Sequence, residues 1–184
     1  LRNSSAASDV YKRQPLAADL DFTLMGKQKE LQAAVSALSK LTEGALNLGV
    51  GKNSKSIFEE LKDVSVHKIT GIHPAGNVGT LINKLNPVNK GEVVWTISPQ
   101  DLVVIGELLL TGKFNAERIV ALSGSSVKNP KYYTTKIGSE VSTILYTSGL
   151  NEENVRIIDG NVLSGNKITP KGHLGYYTNT VTVI

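Results

Sequence analysis

Gly71-Ile72-His73-Pro74-Ala75-Gly76-Asn77-Val78-Gly79-Thr80 restricts the fold more than any other segment of this chain. Three glycines and a proline in ten residues exclude a helix or strand interior. Glycine admits backbone shapes that other residues resist, and proline disfavours a helical residue before it. The run follows a strand-like stretch, Val64-Ser65-Val66-His67-Lys68-Ile69-Thr70, and precedes an apolar pattern at Val78, Leu81, Ile82 and Leu85. A glycine-rich turn between strand and helix is where α/β proteins bring backbone to a ligand. The run is neither a Walker loop nor a G-x-G-x-x-G fingerprint, so it lacks the usual phosphate-binding grammar.

The neighbouring sequence extends the alternation. Leu24, Leu31, Val35, Leu38 and Leu41 recur at helical spacing, and Gly44 is placed to stop that helix. Residues 45–50 alternate like a strand, Gly51 to Ser54 turn, and Ile57, Phe58 and Leu61 suggest a short helix before the strand at 64–69. Helix, strand, helix, strand builds a parallel sheet. Ser98-Pro99-Gln100-Asp101 is a helix start, with a serine cap, proline in the first turn and an early acid. That helix should run to about Leu110 and stop near Gly112. Trp95, alternating with apolar neighbours in 93–97, reads as core packing.

Beyond Glu117 the texture changes. Short β-rich runs at 118–122, 132–136, 155–159 and 176–184 surround one short helix from Val141 to about Ser148. This is a β-grasp pattern. The expected fold is therefore α/β: a partial Rossmann-like parallel-sheet domain, then a β-grasp α+β module. Lys128-Asn129-Pro130 reads as a hairpin turn. Gly160 to Gly165 forms a polar loop that either faces a partner or is plain surface. Tyr132-Tyr133 and Tyr176-Tyr177 should each put one ring on either face of a strand.

Several short motifs occur in order: Pro15-Leu16-Ala17-Ala18-Asp19, the Gly71–Thr80 loop, Asn86-Pro87-Val88, Val94-Trp95-Thr96-Ile97, Gln100 to Gly106, Arg118 to Gly124, Lys128-Asn129-Pro130 and Val162-Leu163-Ser164-Gly165. Together they resemble the A-subunit family of the bacterial Na+-translocating NADH:quinone reductases, from Pro15 to Ile184. The family is in turn similar to the NADH- and FMN-binding subunit of respiratory complex I, which pairs a Rossmann-like domain with a β-grasp module of the soluble-ligand-binding type. The resemblance implies an internal fragment of a peripheral subunit on the cytoplasmic face of the bacterial inner membrane. Its partners would be the other subunits of a complex that oxidises NADH, reduces ubiquinone and exports Na+. NADH and ubiquinone are then substrates of the complex. By the same resemblance the flavins and the iron–sulfur centre would sit in partner subunits, and no cofactor would be bound by this chain. Its own part would be scaffold and a quinone-access surface. Two other readings remain open: a stand-alone nucleotide- or flavin-binding oxidoreductase, and a subunit of a related ferredoxin:NAD+ oxidoreductase complex.

The resemblance begins abruptly at Pro15. Residues 1–14, polar and non-periodic, are therefore expected to be a non-native or disordered tail. Residues 15–116 should form the partial Rossmann-like domain and 117–184 the β-grasp module. The β-branched ending, Thr180 to Ile184, suggests that the module is cut short at its C-terminus. Arg2, Lys12 and Arg13, less Asp9, supply +2 of the formal net charge of +4. The remaining +2 is weak support for nucleic-acid binding. Cysteine is absent, so disulfides and thiolate ligands are excluded. The longest apolar run, Leu102 to Leu110, is broken by Glu107 and falls short of the ~20 residues a membrane-spanning helix needs.

The candidate ligand-facing residues are Gly71, His73, Pro74, Gly76 and Gly79. The His73 imidazole can donate to or accept from a quinone carbonyl or a flavin-like ring near neutral pH. The alternative is a loop histidine bonding local backbone. The glycines either bring amides to a ligand or only shape the turn. His67, His73 and His173 lack metal-ligand spacing. No G-x-S-x-G nucleophile motif occurs. Asp159, Glu152 and Glu153 read as solvated turn residues, which leaves no catalytic constellation.

Overall fold

A computed structural model of the chain describes residues 6–9, 16–52, 57–72 and 74–184. Two compact units divide it. One spans Asp19–Asn115 together with the strand at Ala6–Asp9, and the other spans Ala116–Ile184 together with residues 16–18.

The first unit runs β1 (Ala6–Asp9), α1 (Leu20–Thr23), α2 (Gln28–Leu41), β2 (Asn47–Gly51), a 3-10 turn at Ile57–Glu60, β3 (Ser65–Ile69), α3 (Val78–Leu85), β4 (Trp95–Thr96) and α4 (Pro99–Thr111). Its sheet has the order β3-β2-β1-β4. Every neighbouring pair is parallel, with Ala7 opposite Asn47, Ala7 opposite Thr96 and Leu48 opposite Val66. This is the strand order of a Rossmann-type half, whose direction reverses between β1 and β4. Alternate residues of β2 serve the two faces of the sheet. Leu48 and Val50 pack in a core with Leu24, Leu31, Ala34, Phe58 and Leu102. Gly49 lies on the other face, beneath α3: a Cβ there would sit 2.5 Å from Ile69 Cδ1 and 2.9 Å from Leu81 Cδ2.

Local signals explain the helices. Asp19 caps α1 by accepting from the Phe22 amide at 3.2 Å. Gly26, at φ 79°, separates α1 from α2, so the apolar pattern that starts at Leu24 belongs to a helix that begins only at Gln28. Ser98 caps α4: its Oγ accepts from the Asp101 amide at 3.3 Å and lies 2.5 Å from Asp101 Oδ2. Gly112 ends α4 in the left-handed conformation, its amide donating to Leu108 O. Gly106 is where α4 and α2 meet most closely, since a Cβ there would lie 1.8 Å from Glu30 O.

The second unit runs β5 (Glu117–Ser123), β6 (Lys131–Lys136), α5 (Ser142–Ser148), β7 (Ile157–Asp159), β8 (Asn166–Ile168) and β9 (Thr180–Val183). The sheet order is β6-β5-β9-β7-β8. β5 and β9 are parallel, and the remaining pairs are antiparallel. One helix set against a mixed sheet with the last strand in the middle is the β-grasp arrangement. Its core gathers Val120, Leu122, Val141, Ile144, Leu145, Ile157, Val181 and Val183.

Several sequence expectations need correction. Residues 1–14 do not all stand apart from the fold: Ala6–Asp9 forms β1, hydrogen-bonded to both β2 and β4. Pairing with two neighbours makes it a strand, although its sequence carries no β pattern. Trp95 is 60% exposed and not core, because β4 is a two-residue strand at the sheet edge. Asp159 is not a free turn residue. It is partly buried, and its carboxylate accepts from the Gly175 amide at 3.2 Å and the Thr178 hydroxyl at 2.5 Å. Tyr176 and Tyr177 precede β9 in a turn, where their rings meet edge to face at 4.9 Å. Asn129 and Ser148 bond each other's backbone, Nδ2 to Ser148 O at 3.1 Å and Oγ to Asn129 O at 2.5 Å. This ties the segment read as a hairpin turn to the end of α5.

Candidate ligand-facing loop

The glycine-rich loop leaves the carboxyl end of β3, the edge strand of the parallel sheet. Gly71 has φ 127°, a backbone shape that side chains resist, and a Cβ there would sit 3.1 Å from Ala75 Cβ. The turn therefore needs glycine at 71 for its shape. After it the chain folds back in successive turns. The Ala75 amide donates to Ile72 O and the Asn77 amide to Pro74 O, each at 2.9 Å. The Thr80 and Leu81 amides donate to Asn77 O at 2.9 and 3.2 Å, starting α3. Leu81, with Ile69, Ala75, Val78 and Ile82, anchors the loop and α3 in a small apolar cluster.

The five candidate residues fall differently. Gly71 and Pro74 are exposed, Gly76 is buried, and Gly79 is an exposed helix residue with nothing within 4 Å of a Cβ. His73 lies outside the described residues. Ile72 beside it is 87% exposed, so the tip of the loop presents an apolar side chain to solvent. The loop is separated from the β1/β4 reversal by β2 and β1. Open α/β sheets hold ligands at such a reversal, at the carboxyl ends of the strands. The loop shares that end of the sheet but not that position. What it offers a ligand is exposed backbone, a prolyl ring and the Ile72 side chain.

The other histidines are accounted for structurally. His67 Nε2 lies 2.8 Å from Asn47 Oδ1, linking β3 to β2. His173 forms an isolated bridge with Glu140. Among the described residues no group of three His, Cys, Asp or Glu side chains is placed to hold a metal ion.

The sequence is matched by two family descriptions in succession, "NqrA second alpha/beta domain" over residues 7–114 and "NQRA C-terminal domain" over residues 119–169. The chain belongs to the NqrA family. Among curated members, the A-subunit of the Na(+)-translocating NADH-quinone reductase of Marinomonas sp. (strain MWYL1) is 37% identical over 171 residues, covering 92% of this chain and 38% of the relative. The same protein of Histophilus somni (strain 2336) is 36% identical over 182 residues, covering 98% of this chain and 41% of the relative. That of Neisseria meningitidis serogroup B is 37% identical over 172 residues, covering 92% and 38%. The chain thus spans about two fifths of the length of these NqrA relatives. Among solved structures, an NAD+-reducing [NiFe]-hydrogenase in the air-oxidized state matches with a TM-score of 0.72 over 98% of this chain and 40% of that one. Sequence identity there is 13%, so the likeness is one of fold.

Positioning residues escaped the sequence reading where their partners are distant. Asp159 meets groups 16 and 19 residues away, and nothing local announces them. Buried Arg118 places its guanidinium 5.8 Å from the centre of the Tyr176 ring. The Gly160–Gly165 loop did carry a local signal. Asn161 Oδ1 accepts from the Leu163 and Ser164 amides at 2.8 and 3.1 Å, an Asx turn of the kind asparagine favours.

Proposed function

We propose that this chain is part of the NqrA component of a Na+-translocating NADH:quinone reductase, the complex that couples NADH oxidation and quinone reduction to Na+ export. In this reading residues 15–116, completed by the strand Ala6–Asp9, form the Rossmann-like domain and residues 117–184 the β-grasp module. The chain is peripheral, at the cytoplasmic face of the bacterial inner membrane, and is held there by partner subunits. No helix among the described residues is long and apolar enough to cross a membrane. The chain contributes scaffold, while flavins and the iron–sulfur centre reside in the partners. Its quinone-access surface is the loop with Gly71, His73, Pro74, Gly76 and Gly79.

The observation that carries this reading is the succession of the two NqrA family matches along one chain. The exposed Ile72 and Pro74 support the quinone role, because a quinone ring needs apolar contact beside a hydrogen-bonding group.

Two experiments test it. A tagged NqrA protein carrying these residues, expressed in a bacterium that makes the pump, should recover the flavin-bearing membrane subunits from solubilised membranes. Its recovery alone, or with a different redox complex, would remove it from the pump. Within the intact complex, His73→Ala should raise the KM for ubiquinone at unchanged NADH affinity. An unaltered KM and turnover would leave the loop a purely structural turn.

A further inference from the structure

The C-terminal turn of α4 is apolar in a way that its own unit does not use. Up to Gly106 the helix is packed: Leu102 and Val104 are buried, and Gly106 lies against the Glu30 backbone. Beyond that crossing, Leu108, Leu109 and Leu110 are 41%, 54% and 57% exposed, and Phe114 just past the helix is 58% exposed. Successive helix residues are about 100° apart, so three consecutive leucines spread over about 200° of the circumference. A helix end that is apolar over more than half its girth belongs in an interior.

This end is also a built surface. Gly112 closes it in the left-handed conformation. The Thr111 hydroxyl donates to Glu107 O at 2.7 Å. Asn115 Nδ2 reaches both Glu107 carboxylate oxygens, at 3.1 and 3.3 Å, clamping the segment that carries Phe114 back onto the helix. These bonds hold the backbone that carries the four side chains, which lowers the ordering cost of docking.

We propose that this face, Leu108 to Leu110 with Phe114, is covered in the complete NqrA protein by the preceding domain of the same polypeptide. Two observations choose that occupant. The relatives are more than twice as long as this chain. The family description matching residues 7–114, "NqrA second alpha/beta domain", places another domain before it in the polypeptide. A domain on the same chain meets the patch at high effective concentration, so a modest apolar face suffices to hold it.

These 184 residues contain no cysteine, so a thiol introduced among them reports on one place once any cysteines elsewhere in the full-length protein are replaced by serine. Leu109→Cys should react rapidly with a maleimide in the 184-residue chain and at least tenfold more slowly in the purified full-length protein. Tyr146→Cys, on the most exposed aromatic of the β-grasp unit, should react alike in both. Removing the preceding domain from the full-length protein should restore rapid labelling at 109. Amide exchange over residues 107–114 of the unsubstituted proteins should show the same protection, should Leu109→Cys disturb folding. Equal labelling in the chain and the full-length protein would overturn the proposal. So would protection already present in the 184-residue chain, whether from its own second unit or from self-association. Protection that appears only with partner subunits bound would assign the face to them and overturn it as well.

Discussion

The two units solve the same problem, fixing short strands in register, by different means. The first unit covers its parallel sheet on both faces. One apolar cluster around Leu31, Leu48 and Phe58 lies on one side, and the Ile69–Leu81 cluster under α3 lies on the other. The second unit has a single core, and the ends of its strands are tied by side chains: Asp159 to Gly175 and Thr178, Ser148 to Asn129, and the Thr182 hydroxyl to Gly160 O at 2.7 Å. β7 and β8 have three residues each. Strands that short bury too little to set their own register, so fixed ends take over part of the task. Apolar burial should therefore dominate stability in the first unit, and polar ties should matter more in the second.

Core truncation is the strongest way to break this contrast. Phe58→Ala removes a fully buried ring and should cost the first unit about 4 kcal/mol, while amide protection in the second unit persists. Global loss of protection would mean that the units do not unfold separately. Next come two glycines at close backbone approaches. Gly106→Ala should destabilise the first unit by about 3 kcal/mol, because the new Cβ must push the Glu30 carbonyl away. Gly124→Ala should cost the second unit a similar amount: Gly124 has φ 126°, and its Cβ would lie 2.0 Å from Val183 O. Unit-resolved amide exchange in denaturant separates these two effects.

Smaller changes sharpen the contrast. Asp159→Ala should cost about 2 kcal/mol, with faster exchange confined to residues 175–178 and β7. A drop below about 0.5 kcal/mol would show that the polar ties are incidental. Gly79→Ala should be the mildest, stabilising the first unit by about 0.5 kcal/mol, since α3 gains a better helix former in open space. A loss of quinone turnover without loss of stability in that variant would indicate that the open space is used by a ligand.

Sequence signals were most reliable where the cause is local. Ser98, Pro99, Asp101 and Gly112 set both ends of α4, because a cap is a contact between near neighbours. The Gly71 turn was legible for the same reason. Asp159 was misread because its partners lie more than fifteen residues away. Trp95 was misread because alternation cannot tell an edge strand from a central one.

By itself, then, the sequence determined the α/β class, the succession of a Rossmann-like and a β-grasp unit, the helix ends and the glycine turn. Each follows from backbone preferences and apolar spacing within a few residues. The tertiary structure alone decided that Ala6–Asp9 is a strand between β2 and β4 and that the glycine loop stands at the sheet edge, away from the β1/β4 reversal. It alone also decided that Asp159 holds a distant turn and that the end of α4 is left uncovered. Those outcomes depend on which segments meet across the chain, and a residue's own neighbours in sequence carry no record of that.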